Sequence, residues 1–311
     1  MSRSYEDGKS GAGALVCGRR QVVGLLTLGP LALGPLTSAC RSQEERVTEP
    51  SALSANRMPV IFIAHGAPMV LDDPTWVTDW ATWARRLPRP RAILMISAHW
   101  EARPATLGAT RTVPLVYDFY GFPDRYYQQT YPAPGAPELA GRVKGLLQSS
   151  GQDSTDAPER GLDHGAYVPL VAMYPEANVP VLQLSLPSLR ASELFALGRA
   201  LAPLRDEGVL IAGSGFITHN MRTAFHKGTP AWASEFDQWT AEALVKNDVD
   251  GLVDFERRAP AARTALPTTE HYVPLVVAAG AAQGAAAPPS FPIEGFWDAS
   301  GSFTRRSVQW G

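Results

Sequence analysis

The chain has 311 residues and a net charge of -2 at pH 7, with 28 Lys and Arg against 30 Asp and Glu. This balance excludes the strongly basic surfaces typical of nucleic-acid-binding proteins and of polybasic membrane-binding segments, so we expect small molecules as partners and no nucleic acid. Both cysteines, Cys17 and Cys40, precede the first predicted strand, so a metal ion in the folded domain must be held by His, Asp or Glu.

The N-terminus has the pattern of an export signal. Arg19-Arg20 resembles the twin arginine of a Tat signal, and it precedes an apolar run of about fifteen residues, which is too short to span a membrane. The alternative, a buried hydrophobic helix, is disfavoured by the Gly-Pro pairs at 29–30 and 34–35. We therefore predict that residues 1–40 are an export signal.

The end of this segment, LTSAC, resembles a lipoprotein box, although Thr37 rather than a leucine stands three residues before Cys40. If the box is used, Cys40 becomes the lipidated first residue, and the polar residues 41–57 form a flexible tether. The protein is then periplasmic or anchored to a membrane through that lipid alone. If the signal is not used, the protein stays in the cytoplasm.

Residues 58–311 alternate between short apolar runs and amphipathic segments, which is the pattern of an α/β domain. We expect one domain with a central, largely parallel or mixed sheet and helices on both faces. Buried strands are predicted for four runs rich in Val, Ile and Leu, at 58–64, 91–97, 179–185 and 208–214. Helices are predicted where apolar residues recur at helical spacing, namely around Trp76, Trp80 and Trp83, and at 137–148, 191–204 and 231–246.

Two segments share the five residues YVPLV, each shortly after a histidine: HGAYVPLVAMY at 164–174 and EHYVPLVVAAG at 270–280. Because proline is well tolerated in the first turn of a helix, we predict that both segments begin helices with proline in that turn and histidine at or before the N-terminus. Chance similarity between two helix starts is the alternative explanation.

The positions of the histidines follow the predicted elements. His65, His99 and His219 come at or shortly after the ends of three predicted strands, the edge where open α/β sheets bind ligands. His164 and His271 stand at the two helix starts, whereas His226 lies in a polar stretch and is predicted to face solvent.

Neutral imidazoles suit Zn, Fe, Cu and Ni, and two or three of them with a carboxylate and open positions suit catalysis. Glu270, beside His271, is the candidate carboxylate. Position alone leaves two alternatives open, a metal site and a set of scattered hydrogen-bonding histidines.

Several motifs in one order resemble the class III extradiol ring-cleavage dioxygenases, most closely the 4,5-DOPA dioxygenase-like branch. They are FIAHGAPM, ISAHW, VYDFYGFPDRYYQQTYPAPG, GLDHGAYVPLVAMYP, VPVLQLSL, GSGFITHNMR and TTEHYVPLVVAAGAA, and they cover most of 58–282.

The resemblance implies one divalent metal ion per chain, Fe(II) for dioxygenase activity or Zn(II). It places the metal on the residues matching His65, His99 and the pair Glu270-His271, and it leaves open which member of that pair coordinates. In the DOPA dioxygenase-like branch the residue matching His219 is also described as metal-binding.

The resemblance also implies a catechol substrate of the DOPA kind, O₂ as the second substrate and a muconic semialdehyde as product. His219 is the candidate general base, and His164 is expected to hydrogen-bond bound oxygen or the substrate oxyanion. The alternatives are a zinc-dependent hydrolase or other zinc enzyme on the same scaffold, and a non-catalytic metal-binding relative. Family members are commonly cytosolic, so the predicted export segment departs from the family.

Residues 114–135 form a segment rich in aromatic side chains, prolines and glycines. Such a loop can cover an aromatic substrate and exclude water, and it can equally pack on the core as irregular structure. Asp118 and Arg125 are candidates for orienting a polar group of the substrate. The aromatic residues are Tyr117, Phe119, Tyr120, Phe122, Tyr126, Tyr127 and Tyr131.

The export signal is directly testable. Replacing Arg19 and Arg20 with lysine should leave the precursor in the cytoplasm, because the twin arginine is the recognised element. Mass spectrometry of the mature wild-type protein should find a terminus near residue 40. Protein from the native host that retains Met1 would contradict this prediction.

Overall fold

The computed structural model describes residues 57–224 and 228–311, and in these ranges an eight-stranded mixed sheet forms the centre of the fold. Its order is β4-β3-β5-β2-β6-β1-β10-β7, and the four central strands β5, β2, β6 and β1 run parallel. A separate antiparallel pair is formed by β8 and β9. The strands are β1 (Val60–Ala64), β2 (Ala92–Glu101), β3 (Ala105–Leu107), β4 (Ser154–Asp156), β5 (Val181–Leu186), β6 (Val209–Gly215), β7 (Ser290–Ile293), β8 (Phe296–Trp297), β9 (Ser300–Thr304) and β10 (Ser307–Trp310).

Helices cover both faces of this sheet, as predicted. Along β1, Val60 and Phe62 pack into one core with α2, α4, α5 and α9, whereas Ile61 and Ile63 pack into a second core with α1 and α3. This alternation follows from the two-residue period of a strand. The helices are α1 (Pro74–Ala84), α2 (Pro137–Ser149), α3 (His164–Met173), α4 (Ala191–Leu201), α5 (Ala231–Val245), α6 (Val249–Val253), α7 (Phe255–Arg258), α8 (Ala262–Ala265) and α9 (Val273–Ala281).

Local sequence signals set the starts of two helices. At α1, the Asp73 side chain accepts a hydrogen bond from the Thr75 backbone N–H at 2.9 Å, and Pro74 occupies the first turn. At α3, the buried Asp163 side chain accepts from the Ala166 backbone N–H at 3.2 Å. Each aspartate therefore satisfies one of the amide groups that a helix leaves unpaired at its N-terminus.

The four predicted strands and the predicted helices are confirmed, with ends that differ by a few residues. No sequence pattern predicted β3, β4, or the strands β7 to β10. These strands are two to five residues long and several are rich in Ser, Thr and Gln, so they lack the apolar run that identified the central strands.

One sequence prediction about the helices needs correction. Proline falls in the first turn of α9, as expected, but Pro169 is the sixth residue of α3 and lies inside that helix. The reason is that Asp163 caps α3 one turn earlier than the proline indicated.

Other predictions fall outside the described residues. The export signal at 1–40, the tether up to residue 56 and the solvent exposure of His226 are among them. Within the described ranges, no helix combines the length and the apolar character needed to cross a membrane.

The C-terminal strands are tied to α5 by a buried ion pair, which generates a stability prediction. Asp237 accepts hydrogen bonds from Arg306 Nε and Nη2 at 2.8 and 2.7 Å and from the Thr304 hydroxyl at 2.8 Å. Asp237→Ala should lower the free energy of unfolding by about 3 kcal/mol, measured by urea denaturation, because it removes the buried partner of the largely buried Arg306 side chain and leaves it only the exposed Glu294.

The matched control is Glu242→Ala on the same helix, which removes an exposed ion pair with Lys246 and should change stability little. Equal effects of the two substitutions would show that burial of the Asp237–Arg306 pair is unimportant.

Candidate active site

Three adjacent parallel strands deliver histidines to one edge of the sheet. His65 directly follows β1, and His219 lies four residues after the end of β6. His99 lies within β2, two residues before its end, rather than after the strand as predicted. Because β6 pairs with both β1 and β2, the carboxyl ends of these strands are neighbours and their histidines converge.

Two helix starts bring further histidines to the same edge. His164 is the first residue of α3, and His271 precedes α9 by two residues. The backbone carbonyl of His271 accepts a hydrogen bond from the Phe216 N–H at 2.8 Å, which fixes this helix start against the end of β6. All five histidines line one cavity of about 260 Å³.

The ring nitrogens of His65, His99 and His164 form one compact group. His65 Nε2 and His99 Nε2 are 3.1 Å apart, and the ring centroids of His99 and His164 are separated by 3.9 Å. One ligating nitrogen from each of the three lies within 4.8 Å of the others. Nitrogens at this spacing can bind the same ion, since metal–imidazole bonds are about 2.1 Å long.

The tautomer of His65 follows from its partner, Ser214. The Ser214 hydroxyl donates to the backbone carbonyl of Gly165, so its oxygen accepts a hydrogen bond from His65 Nδ1, at 2.9 Å. That carbonyl is available because Pro169, four residues further along α3, has no N–H to donate to it. His65 Nε2 therefore keeps its lone pair, which is the form required of a metal ligand.

Asp118 lies behind His99 and His164. Its Oδ1 is 2.8 Å from His164 Nδ1, and its Oδ2 is 3.4 Å from His99 Nδ1. Burial alone raises the pKa of Asp118, but the hydrogen bonds and charge of His164 outweigh burial, so the net pKa is lowered. The role suggested by sequence, orienting a polar group of the substrate, is not supported, because Asp118 contacts imidazoles and Arg125 pairs with Asp72.

His219, His271 and Glu270 form a second group whose ligating atoms lie within 4.8 Å of one another. Glu270 Oε1 accepts a hydrogen bond from His271 Nδ1 at 2.9 Å, while the cavity wall is formed by His271 and does not include Glu270. The His219 ring stacks on His271, with ring centroids 3.5 Å apart and an interplanar angle of 11°. Within the described ranges, the His219 ring makes no hydrogen bond, so both of its nitrogens are available to a ligand.

Burial keeps these imidazoles neutral. It is the largest cause that lowers the pKa of His65, His99 and His219 well below the usual value, and the neighbouring histidines lower it further. Burial also lowers the pKa of His271, although Glu270 opposes this effect. Neutral imidazoles are the species that bind metal ions and accept protons, so the site is suited to both tasks near pH 7.

The walls of the cavity are largely aromatic. Only Phe119 and Phe122 of the aromatic segment line it, whereas Tyr131 donates to the Tyr174 carbonyl in the core and Tyr120 is 91% exposed. Three further wall residues, Phe216, Trp297 and Phe303, were not predicted from the sequence. Phe216 lies in the quoted motif GSGFITHNMR, but no sequence signal placed the short β8–β9 pair beside the histidines.

The donor set fits a bound metal ion. Ser214, Asp118 and Glu270 each hold a histidine by Nδ1, which leaves an Nε2 lone pair on the cavity side of the ring. Imidazole donors with open positions indicate a catalytic transition-metal or zinc site rather than a calcium or magnesium site.

Comparisons with known proteins place the chain in a family. The sequence profile of the catalytic LigB subunit of aromatic ring-opening dioxygenase matches residues 59–299. The chain is 45% identical over 229 residues to a 4,5-DOPA dioxygenase extradiol of Beta vulgaris, covering 71% of this chain and 85% of that protein. It is 38% identical over 270 residues to a protein of the same name from Escherichia coli K12, covering 83% and 97% of the two chains.

A crystal structure of an uncharacterized Escherichia coli K12 protein is also similar, with a TM-score of 0.66 and 36% identity over 82% of this chain and 100% of that one. The chain therefore belongs to the LigB family, in its 4,5-DOPA dioxygenase-like branch, and is an extradiol ring-opening dioxygenase. Dioxygenases of this family use a metal ion, and His65, His99 and His164 form a group able to bind one.

The convergence of His65 and His99 predicts their effect on metal content. His65→Ala or His99→Ala should remove most of the bound metal, measured by elemental analysis of protein purified without chelators, because water does not readily replace a lost ligand. His226→Ala serves as the control, since the sequence sets it apart from the strand-end histidines, and it should retain full occupancy. Equal metal content in all three variants would overturn this assignment.

Measurements of bound metal also show which member of the pair Glu270-His271 is the metal ligand. His271→Ala should lose metal, whereas Glu270→Gln should weaken metal affinity by roughly ten- to a hundredfold, the usual effect of removing a carboxylate that orients a ligating histidine. The opposite order would make Glu270 the ligand.

Proposed function

We propose that this protein cleaves the ring of a catechol next to its two hydroxyl groups, with O₂ as the second substrate. The observation that carries the proposal is the set of five histidines lining one aromatic-walled cavity, three of them buried and His99 and His219 half-buried, in a chain of the extradiol family. The substrate proposed is a catechol carrying a side chain, as DOPA does, because two similar proteins are named for that compound.

Holding the metal ion is the first task that we assign to the chain. We assign it to His65, His99 and His271, with Glu270 supporting His271 and with His219 close enough to contribute. His164 also groups with His65 and His99, but we prefer His271, because the family resemblance puts the metal on the residues matching Glu270-His271 and the His271 ring centroid lies 5.5 and 4.9 Å from those of His65 and His99. When bound there, a ferrous ion would supply Lewis-acid and redox chemistry for the reaction of a catechol with O₂. Iron is proposed as the metal of the dioxygenase, and zinc as the alternative occupant.

Proton transfer is the second task. We propose His219 as the general base, because its stacking on His271 places it at the cavity wall and its lowered pKa keeps it neutral. It would accept a proton from a catechol hydroxyl and return it when the ring has opened. His164 donates its Nδ1–H to Asp118 and so keeps a lone pair at Nε2, with which it would accept a hydrogen bond from a hydroxyl of the substrate.

Substrate orientation and water exclusion are the third task. The cavity is lined by aromatic side chains suited to the flat face of an aromatic ring, namely Phe119, Phe122, Phe216, Trp297 and Phe303. Ring opening of a catechol in this orientation gives a muconic semialdehyde. With a DOPA-like substrate, the amino group of the product can then react with the new aldehyde to form a cyclic compound.

Oxygen consumption tests the proposal. Protein loaded with Fe(II) under anaerobic conditions should consume O₂ when catechol, 4-methylcatechol or DOPA is added, and zinc-loaded protein should not. Iron-loaded protein that consumes no oxygen with any catechol would contradict the proposal and favour a zinc enzyme.

His219→Gln is the sharpest variant for this assay. If His219 is chiefly a base, the variant should keep near-normal metal and substrate binding while turnover falls by roughly two to four orders of magnitude. Loss of metal together with activity would instead make His219 a ligand.

A further inference from the structure

Asp118 joins two of the site histidines, which come from different elements. His99 belongs to β2 and His164 begins α3, and the carboxylate lies between them on the side away from the cavity. Oδ1 accepts from both the backbone N–H and Nδ1 of His164, at 3.0 and 2.8 Å, whereas Oδ2 faces His99 Nδ1 at 3.4 Å. The His99 imidazole therefore faces one carboxylate oxygen and the His164 imidazole faces the other.

This arrangement determines which nitrogen of each ring carries the proton. A carboxylate can only accept hydrogen bonds, and a neutral imidazole has one N–H group. Oδ1 accepts the Nδ1–H of His164, which holds the proton there. Oδ2 makes no hydrogen bond within the described ranges, but its negative charge 3.4 Å from His99 Nδ1 favours an N–H over a lone pair at that atom. Both Nε2 atoms are then left with lone pairs, and His99 Nε2 is the atom that lies 3.1 Å from His65 Nε2.

We propose that Asp118 is a positioning residue that fixes the tautomer and orientation of His99 and His164 together. One carboxylate would thereby link the residue that we assign to metal binding with the residue that we assign to the substrate oxygen. The functional consequence rests on the proposed function, but the tautomers themselves do not.

Asp118→Asn is a diagnostic substitution because it keeps the shape of the side chain and changes one acceptor into a donor. The amide oxygen should take the position of Oδ1, where it still accepts both hydrogen bonds from His164. The NH₂ group then faces His99 Nδ1, and because an amide NH₂ can only donate, Nδ1 must become the acceptor. We therefore expect His99 to move its proton to Nε2, where it can no longer bind a metal ion, while His164 keeps its tautomer.

Nitrogen NMR of ¹⁵N-histidine-labelled, metal-free protein reads these tautomers directly, with signals assigned through single His→Gln variants. The wild-type protein should show the Nδ1–H form for both His99 and His164. An Nε2–H form at either residue in the wild-type protein would overturn the proposal, and this result does not depend on whether Asp118→Asn folds.

Metal affinity gives the second measurement. In competition with a chromophoric chelator, Asp118→Asn should bind Zn(II) roughly ten- to a hundredfold more weakly than wild type, while the metal-free proteins unfold at similar urea concentrations. Asp72→Asn is the matched control, because Asp72 accepts from Arg125 and Tyr126 and contacts no histidine in the described ranges. Its zinc affinity should be unchanged.

The outcomes separate this proposal from the proposed function. Suppose that the wild-type protein shows the expected tautomers and Asp118→Asn binds zinc more weakly, but the iron-loaded wild-type protein consumes no oxygen with catechols. This result would support the role of Asp118 and reject the proposed function. If the iron-loaded wild-type protein consumes oxygen with catechols but the zinc affinity of Asp118→Asn is within twofold of wild type, the proposed function stands and the role of Asp118 is rejected. Weaker zinc binding accompanied by a large loss of metal-free stability and an unchanged His99 tautomer would make Asp118 merely structural and would overturn the proposal.

Discussion

The site depends on the close approach of two helix starts to the carboxyl edge of the sheet. A Cβ atom on Gly165, in the first turn of α3, would lie 2.3 Å from Ser97 Oγ and 3.0 Å from His99 Cδ2. A Cβ atom on Gly215, at the end of β6, would lie 2.0 Å from the His271 carbonyl oxygen. Larger side chains at either position would push a helix away from the strand ends and separate the five histidines.

Such close approach places several imidazoles where water is scarce, and this has an electrostatic consequence. Two protonated rings a few ångströms apart in a buried site repel each other strongly, so burial and mutual repulsion both favour the neutral form. The groups that orient the rings lie on the side away from the cavity, where Ser214, Asp118 and Glu270 meet Nδ1 atoms. Neutrality and orientation therefore arise from the same packing, before any ligand binds.

The sequence predicted the parts of this arrangement that have a strong local signal. The central strands are unbroken apolar runs, and the rule that parallel strands share a carboxyl edge was enough to expect His65, His99 and His219 together. The role of Asp118 was not predictable, because it depends on how an irregular loop folds back onto β2 and α3. Trp297 and Phe303 were missed for a similar reason: they reach the cavity through a two-stranded element too short to leave a hydrophobic period.

The repeated YVPLV segments acquire a physical meaning in the fold. In α3, Pro169 lacks the N–H that would pair with the Gly165 carbonyl, so that oxygen accepts the Ser214 hydroxyl of β6 instead. In α9, the Leu275 N–H bonds to the Tyr272 carbonyl, three residues back, and the His271 carbonyl accepts the Phe216 N–H that follows β6. At each helix start, a backbone carbonyl thus accepts a hydrogen bond from a residue at the carboxyl end of β6. This shared bonding explains why a histidine at each of these starts reaches one cavity. Pro169 contributes to it by leaving the Gly165 carbonyl free, whereas the His271 carbonyl is free because the Leu275 N–H bonds to Tyr272.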